Sequence, residues 1–209
     1  MKLVKKKEMS KIFNLGNVPN LLTVGRIVLI PMFVLAYLLP GDWTYTAAAS
    51  LFALASITDW LDGYLARRLD QTTAFGAFLD PAADKLMVVT ALVMLIGHHN
   101  NLYLTLPGLI IIGREIMISA LREWMAELNR RGLVRVGMLG RVKTGFQMIA
   151  ILILVAGPPG FDAPWPYIGY FLIYVAAGMT LISMISYLKA AWPSLSDGMS
   201  SNTRSSRLP

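Results

Sequence analysis

Six apolar stretches separated by polar connections place the strongest limit on how this 209-residue chain can fold. A helix of about 20 apolar residues spans the hydrocarbon core of a bilayer. The stretches lie at residues 20–39, 44–66, 84–99, 103–121, 142–157 and 166–190. The third and fifth are short and need their polar flanks to complete a span. We therefore predict an all-α, polytopic membrane protein with six transmembrane helices.

The composition supports this class independently. Hydrophobic residues make up 56% of the chain and charged residues only 15%, and the mean hydropathy is +0.57. A soluble domain has a far more polar balance. The chain contains no cysteine, which excludes disulfides, thiolate catalysis and thiolate metal ligation. We expect membrane lipids as partners and no nucleic acid.

Lysine and arginine fall on one side of the predicted helices. None of the 19 lies in the first, third or fifth connection, with the sequences PGDWT, HHNN and GPPGFDAPWP. All of them lie at the termini, in the even-numbered connections or at the helix ends beside them. The positive-inside rule therefore predicts that both termini are cytoplasmic. His98 and His99 are expected in an outer loop, as interfacial residues.

The two ends of the chain differ from the middle. Residues 1–16 form a basic leader that could lie on the membrane as a short amphipathic helix. Residues 17–192 form the six-helix domain. Residues 193–209 are polar and rich in serine, and we expect this tail to be disordered.

Four aspartates stand within 26 residues of an otherwise apolar region. Asp59 and Asp62 lie about 60° apart on one helical face, and Asp80 and Asp84 about 40° apart on the next helix. Two facing pairs of carboxylates suit hard cations such as Mg²⁺ or Mn²⁺, and suit zinc poorly. The alternative is a set of ordinary membrane-surface carboxylates paired with nearby basic residues.

The spacing D-x2-D-G-x2-A-R-x8-G-x3-D-x3-D resembles the signature of the CDP-alcohol phosphotransferases, and all of its fixed positions are present. The resemblance implies an integral membrane enzyme in which an alcohol displaces CMP from a CDP-linked donor. It also implies that two ions, Mg²⁺ or Mn²⁺, are held by Asp59, Asp62, Asp80 and Asp84, with Asp84 as the catalytic base.

Further positions are expected to bind the donor. In the family a polar pair at the start of the first helix helps to hold the cytidine nucleotide, which here corresponds to Asn20 and Thr23; helix capping is the alternative role. A small residue lets a ligand approach the backbone closely. The remaining donor positions all lie in or beside the signature: Gly63, Ala66, Arg67, Thr73 and Gly76.

A second group of cations follows the signature. Arg114 interrupts an apolar helix, and Arg141 and Lys143 open the fifth one. Guanidinium groups suit the oxygens of a phosphate. Together with Arg122, these residues are candidates for binding the phosphate of the acceptor, whereas positive-inside anchoring explains the other arginines of this region.

Four segments in order narrow the resemblance to the bacterial phosphatidylglycerophosphate synthases: NVPNLLTVGRIVLIP, the signature, REIMISALREWMAE and GRVKT. This implies transfer of a phosphatidyl group from CDP-diacylglycerol to glycerol 3-phosphate at the bacterial cytoplasmic (inner) membrane. The sequence leaves open a different acceptor: serine, inositol phosphate or phosphatidylglycerol. It also leaves open a cation transporter, because carboxylates inside helices also mark ion paths. The sequence leaves the oligomeric state open, a homodimer included.

Overall fold

The computed structural model of the protein describes residues 18–69, 74–127, 138–159 and 164–205. Within these ranges the chain is helical and forms no strand. The six helices, in chain order, are α1 Val18–Leu38, α2 Trp43–Leu69, α3 Ala74–His99, α4 Leu102–Glu127, α5 Met138–Val155 and α6 Trp165–Ser205. The prediction of an all-α protein with six helices is confirmed.

The six helices pack into one bundle around a shared apolar core. α1 packs against α2 and α3, while α6 packs against α4 and α5, and α5 also reaches α2 and α3. Phe33 of α1, Phe52 of α2, Leu92 of α3 and Ile151 of α5 are essentially inaccessible to solvent. Each helix thus contributes one face to the interior.

The outer surface of the bundle is apolar as well. Leu35, Leu109, Ile116 and Phe171 are each more than half exposed. A helix that is hydrophobic all round belongs in a membrane or a large core, and the apolar outward face here suits contact with lipid. By length and composition, four stretches in the described residues can cross a membrane: Leu21–Leu38, Ala82–His99, Leu102–Met125 and Trp165–Lys189.

Small residues allow α1 and α2 to approach closely. Ala48, Ala49 and Ala55 of α2 are buried in the core beside Phe33 and Tyr37 of α1. In membrane bundles, small side chains at an interface bring backbones together and increase van der Waals contact. The alanine-rich half of α2 therefore serves packing, as the sequence indicated.

Two helix boundaries differ from the expectations. The third apolar stretch begins at Asp84, but α3 begins ten residues earlier, at Ala74. A carboxylate side chain does not interrupt the backbone hydrogen-bond ladder, so the helix can include the aspartates that hydropathy leaves out. α6 continues to Ser205, so residues 193–205, which we expected to be disordered, are helical. Once a helix is nucleated, each added residue gains a hydrogen bond at little further cost.

A network of aromatic and polar side chains joins the helices at one end of the bundle. His98 and His99 are the last residues of α3, so the expectation that they lie in a loop is wrong. His99 Nδ1 lies 3.0 Å from the Tyr170 hydroxyl, which also accepts a 2.7 Å hydrogen bond from Asn101. Asn101 Oδ1 accepts a hydrogen bond from the Leu104 amide and so caps α4. These contacts fix α3, α4 and α6 together about 22 Å along α3 from Asp84.

Candidate active site

One buried arginine brings two of the signature aspartates together. Arg26 Nη1 on α1 lies 3.1 Å from Asp59 Oδ1 on α2 and also donates a hydrogen bond to Asp84 Oδ1 on α3. Because α2 runs antiparallel to both α1 and α3, the late turns of α2 lie beside the early turns of its neighbours. Asp59 and Asp84, one from each predicted pair, therefore lie at the same guanidinium group.

The three charges differ in their access to solvent. The Arg26 side chain is 1% exposed, whereas the side chains of Asp59 and Asp84 are 43% and 40% exposed. The guanidinium group is therefore on the inner side of the cluster, and the carboxylates are on the side from which a polar ligand can approach. A buried cation held by two carboxylates satisfies the requirement that charges inside a protein be paired.

A small cavity adjoins this cluster. Its volume is about 20 Å³, enough for a single group of the size of water or for a bare cation. Residues of four helices line it, and they combine two carboxylates, a guanidinium and a hydroxyl with three apolar side chains: Arg26, Ala55, Ser56, Asp59, Asp84, Met87 and Met148. Oxygen donors beside a cavity of this size suit Mg²⁺ or Mn²⁺, which prefer oxygen ligands.

The remaining signature residues are placed by the helices that carry them. Asp62 is one turn beyond Asp59 on α2, and Asp80 is one turn before Asp84 on α3. Residues three or four apart share a helical face, so both pairs belong to the face that carries the cluster. Thr73 lies outside the described residues. The structure describes only the helical backbone of the other predicted positions: Asn20, Asp62, Gly63, Ala66, Arg67, Gly76, Asp80 and Arg141.

Thr23 lies one turn before Arg26 on α1 and is completely buried. The spacing of three residues places it on the same face of α1 as the arginine. A role limited to capping the first turn does not explain a buried threonine one turn inside the helix. Its position beside the charged cluster is compatible with the donor-binding role expected for it.

A second polar centre lies between α4, α5 and α6. Arg114 is 5% exposed and Lys143 is 2% exposed. Arg114 Nη1 donates to Glu115, and Nη2 lies 3.5 Å from Ser183 Oγ. Lys143 is near enough to Arg114 and Glu115 to feel both charges. Arg114 and Lys143, both proposed from the sequence as acceptor-binding cations, are thus both buried and close enough to interact electrostatically.

Within the described side chains, Lys143 Nζ has no hydrogen-bond partner although it is buried. A buried ammonium group without an anion is unfavourable, so the site is suited to receive one. Arg122 is exposed and also acts electrostatically on Lys143. Met148, five residues after Lys143 on α5, lines the cavity beside Asp59 and Asp84, so α5 contributes a residue to each centre.

Sequence reasoning missed several residues of these centres. The sequence places Arg26 at the cytoplasmic end of the first helix, three residues after Thr23, but this spacing alone assigned it no role in the site. Gln147, Thr180 and Ser183 are buried or half-buried polar residues on α5 and α6. Single polar residues in apolar helices gave no spacing pattern by which to find them.

Comparison with known proteins agrees with this geometry. The family model described as CDP-alcohol phosphatidyltransferase matches residues 16–185. A Pseudomonas fluorescens protein named CDP-diacylglycerol–glycerol-3-phosphate 3-phosphatidyltransferase is 59% identical over 180 residues, covering 86% of this chain and 92% of the relative. Proteins of the same name from Escherichia coli (strain K12) and Shigella flexneri serotype 5b (strain 8401) are each 50% identical over 181 residues, covering 87% of this chain and 98% of theirs. The chain belongs to the CDP-alcohol phosphatidyltransferase family.

Proposed function

We propose that this protein transfers the phosphatidyl group of CDP-diacylglycerol to glycerol 3-phosphate, forming phosphatidylglycerol phosphate and releasing CMP. The observation that carries the proposal is the meeting of Asp59 and Asp84, from the two halves of the family signature, at one buried guanidinium group. The names of relatives at 50–59% identity over most of the chain support the choice of donor and acceptor.

Two divalent cations, Mg²⁺ or Mn²⁺, fit the residues that are present. Asp59 and Asp84 supply carboxylate oxygens beside a cavity of ionic size, and helical spacing adds Asp62 and Asp80 to the same faces. When bound, such cations neutralise the charge of a diphosphate and make CMP a better leaving group. The four aspartates are the residues that would hold them.

The transfer requires one bond to form and one to break at the phosphatidyl phosphorus. A hydroxyl oxygen of glycerol 3-phosphate forms the new P–O bond while the P–O bond to CMP breaks, and CMP leaves with the electron pair. The hydroxyl proton passes to a carboxylate oxygen of Asp84. Since a metal-bound carboxylate is a weak base, Asp84 must act by its position beside the acceptor hydroxyl. The chain contributes mainly orientation and charge stabilisation.

The second polar centre favours a phosphate-bearing acceptor. Arg114 and Lys143 place two buried positive charges on α4 and α5, and α5 also contributes Met148 to the cavity beside the carboxylates. Glycerol 3-phosphate carries the matching dianion, whereas serine would leave these cations without a phosphate. Arg122 and Arg141 would add charge at the rim of this site.

The donor would lie partly in the membrane. Thr23 and the signature residues would hold the nucleotide and diphosphate, while the acyl chains remain in the bilayer beside the apolar outer surface. The distribution of lysine and arginine supports an active site that faces the cytoplasm of a bacterial inner membrane. A cation transporter is disfavoured because each relative described above has a transferase name.

The test is an acceptor panel with the purified full-length protein. With CDP-diacylglycerol and Mg²⁺, glycerol 3-phosphate should give CMP and phosphatidylglycerol phosphate, while serine, inositol phosphate and phosphatidylglycerol should give neither CMP nor product. Asp59→Asn, Asp62→Asn and Asp80→Asn should each lose activity while remaining inserted in the membrane. If all three variants retain more than about a tenth of the activity, equivalent to ~1.4 kcal/mol in the barrier, the two-cation site is wrong.

A further inference from the structure

Arg26 lies outside the family signature but contacts two of its carboxylates. A single nitrogen, Nη1, is within hydrogen-bond distance of Oδ1 of Asp59 and of Oδ1 of Asp84. The contact joins three helices, because Arg26 is on α1 and the two aspartates are on α2 and α3. No other guanidinium among the described side chains makes two such carboxylate contacts.

The burial of Arg26 makes the loss of this contact costly. The side chain is 1% exposed, so a guanidinium group that left its carboxylates would become an uncompensated buried charge, which is strongly destabilising. A carboxylate has two oxygens, and the contacts of Nη1 given above are to Oδ1 of each aspartate. A carboxylate that accepts a hydrogen bond at one oxygen can in general bind a cation through the other.

We propose that Arg26 is a positioning residue for the metal ligands, and that it fixes the orientation of Asp59 and Asp84 so that their second oxygens face the bound cations. The proposal rests on the proposed function, since it requires these aspartates to be ligands. Groups that hydrogen-bond to metal ligands orient them, and removing such a group commonly lowers metal affinity 10–100-fold. The inner position of the guanidinium and the half-exposed carboxylates fit this arrangement.

Two other roles for Arg26 make different predictions. If the arginine competed with cations for the carboxylates, its removal would raise metal affinity. If it only tied three helices together, its removal would lower thermal stability equally with and without metal and leave the metal affinity of the folded protein unchanged. Metal binding measured without substrate therefore separates the three roles.

The experiment uses the purified full-length chain in detergent, freed of metal by a chelator, with Mn²⁺ binding followed by electron paramagnetic resonance. Arg26→Gln should bind Mn²⁺ at least tenfold more weakly than the native protein. Arg26→Lys, which keeps the charge but reaches less far, should bind several-fold more weakly. Lys189→Gln, which removes an exposed charge near the cytoplasmic end of α6, is the matched control and should bind as the native protein does.

Unchanged or tighter Mn²⁺ binding in Arg26→Gln would overturn the proposal. If that variant does not fold, Arg26→Lys decides, and native affinity in it would overturn the proposal equally. Thermal unfolding gives a second measurement, because Mn²⁺ should raise the Tm of the Arg26 variants less than that of the native protein at the same concentration. Asp59→Asn tests the metal site itself. If this variant binds Mn²⁺ as the native protein does, the proposed metal site is wrong. If it loses Mn²⁺ binding while the Arg26 variants bind Mn²⁺ as the native protein does, only the role of Arg26 is wrong.

Discussion

At the scale of single residues, buried cations are the most informative feature of this protein. Arg26, Arg114 and Lys143 are each no more than 5% exposed in a bundle whose interior is mostly apolar. A charge in such a place is costly unless an anion meets it. For Arg26 the anions are Asp59 and Asp84; for Arg114 one is Glu115. Among the described side chains no anion makes such a contact with Lys143, which makes it the clearest candidate for a ligand-binding cation.

Neutral substitution at the second centre should therefore affect the acceptor. Arg114→Gln and Lys143→Gln each remove a charge-assisted contact worth about 1.5–3 kcal/mol, so the KM for glycerol 3-phosphate should rise roughly tenfold or more. The KM for CDP-diacylglycerol should change little. Glutamine is chosen because its amide can still donate to a neighbour such as Glu115.

Arg67→Gln provides the opposite control, since the family signature places Arg67 at the donor. It should raise the KM for CDP-diacylglycerol and leave that for glycerol 3-phosphate near its native value. Both constants equal affinities only when chemistry is slow, so substrate dissociation should be compared with turnover in the same preparations. Native glycerol 3-phosphate kinetics in both Arg114→Gln and Lys143→Gln would place the phosphate site elsewhere.

At the scale of elements, α2 combines two functions along its length. Its first half carries small buried residues that pack against α1, and its second half carries Asp59 and Asp62. Close packing of α1 and α2 sets the distance between Arg26 and Asp59. The structure of the site thus depends on residues that take no part in the chemistry.

A larger residue in this packing surface should loosen the bundle. Ala48 is completely buried, and Ala48→Leu would force extra volume into a filled interior, at a typical cost of about 1–3 kcal/mol. We expect the Tm of the purified protein, followed by tryptophan fluorescence, to fall by several degrees. Ser50→Leu is the matched control on the same helix, because Ser50 is exposed on the outer surface and a leucine there faces lipid or detergent. An equal Tm in the two variants would contradict the packing role.

At the scale of the whole molecule, the sequence predicted the number of helices and the nature of the site better than the helix boundaries and the contacts within the site. Apolar length located all six helices, and the spacing of Asp59 and Asp84 indicated a shared centre, because both signals are local and periodic. The start of α3 and the end of α6 were misjudged because hydropathy marks the lipid-facing part of a helix and says little about where its backbone ladder stops. The role of Arg26 depends on contacts between α1, α2 and α3, which are far apart in the chain, and no local pattern contains them.

The orientation of the bundle in the membrane is the remaining prediction at this scale, and the absence of cysteine makes it directly measurable. The positive-inside rule places the α1–α2 and α5–α6 connections outside and both termini in the cytoplasm. Asp42→Cys and Pro159→Cys introduce thiols at exposed positions in these connections. Asp42 is preferred to Gly41, whose φ of +120° a cysteine would rarely adopt.

In sealed, intact cells an impermeant thiol reagent should label both variants and should leave Ser10→Cys and Ser200→Cys unlabelled until the membrane is opened. Asp84 lies about 22 Å along α3 from His99, in the half of α3 nearer its start. Labelling of the termini in intact cells would therefore turn the carboxylate cluster away from the cytoplasm and from its supply of glycerol 3-phosphate. That result would contradict the proposed orientation, while labelling of Asp42→Cys and Pro159→Cys alone would support it.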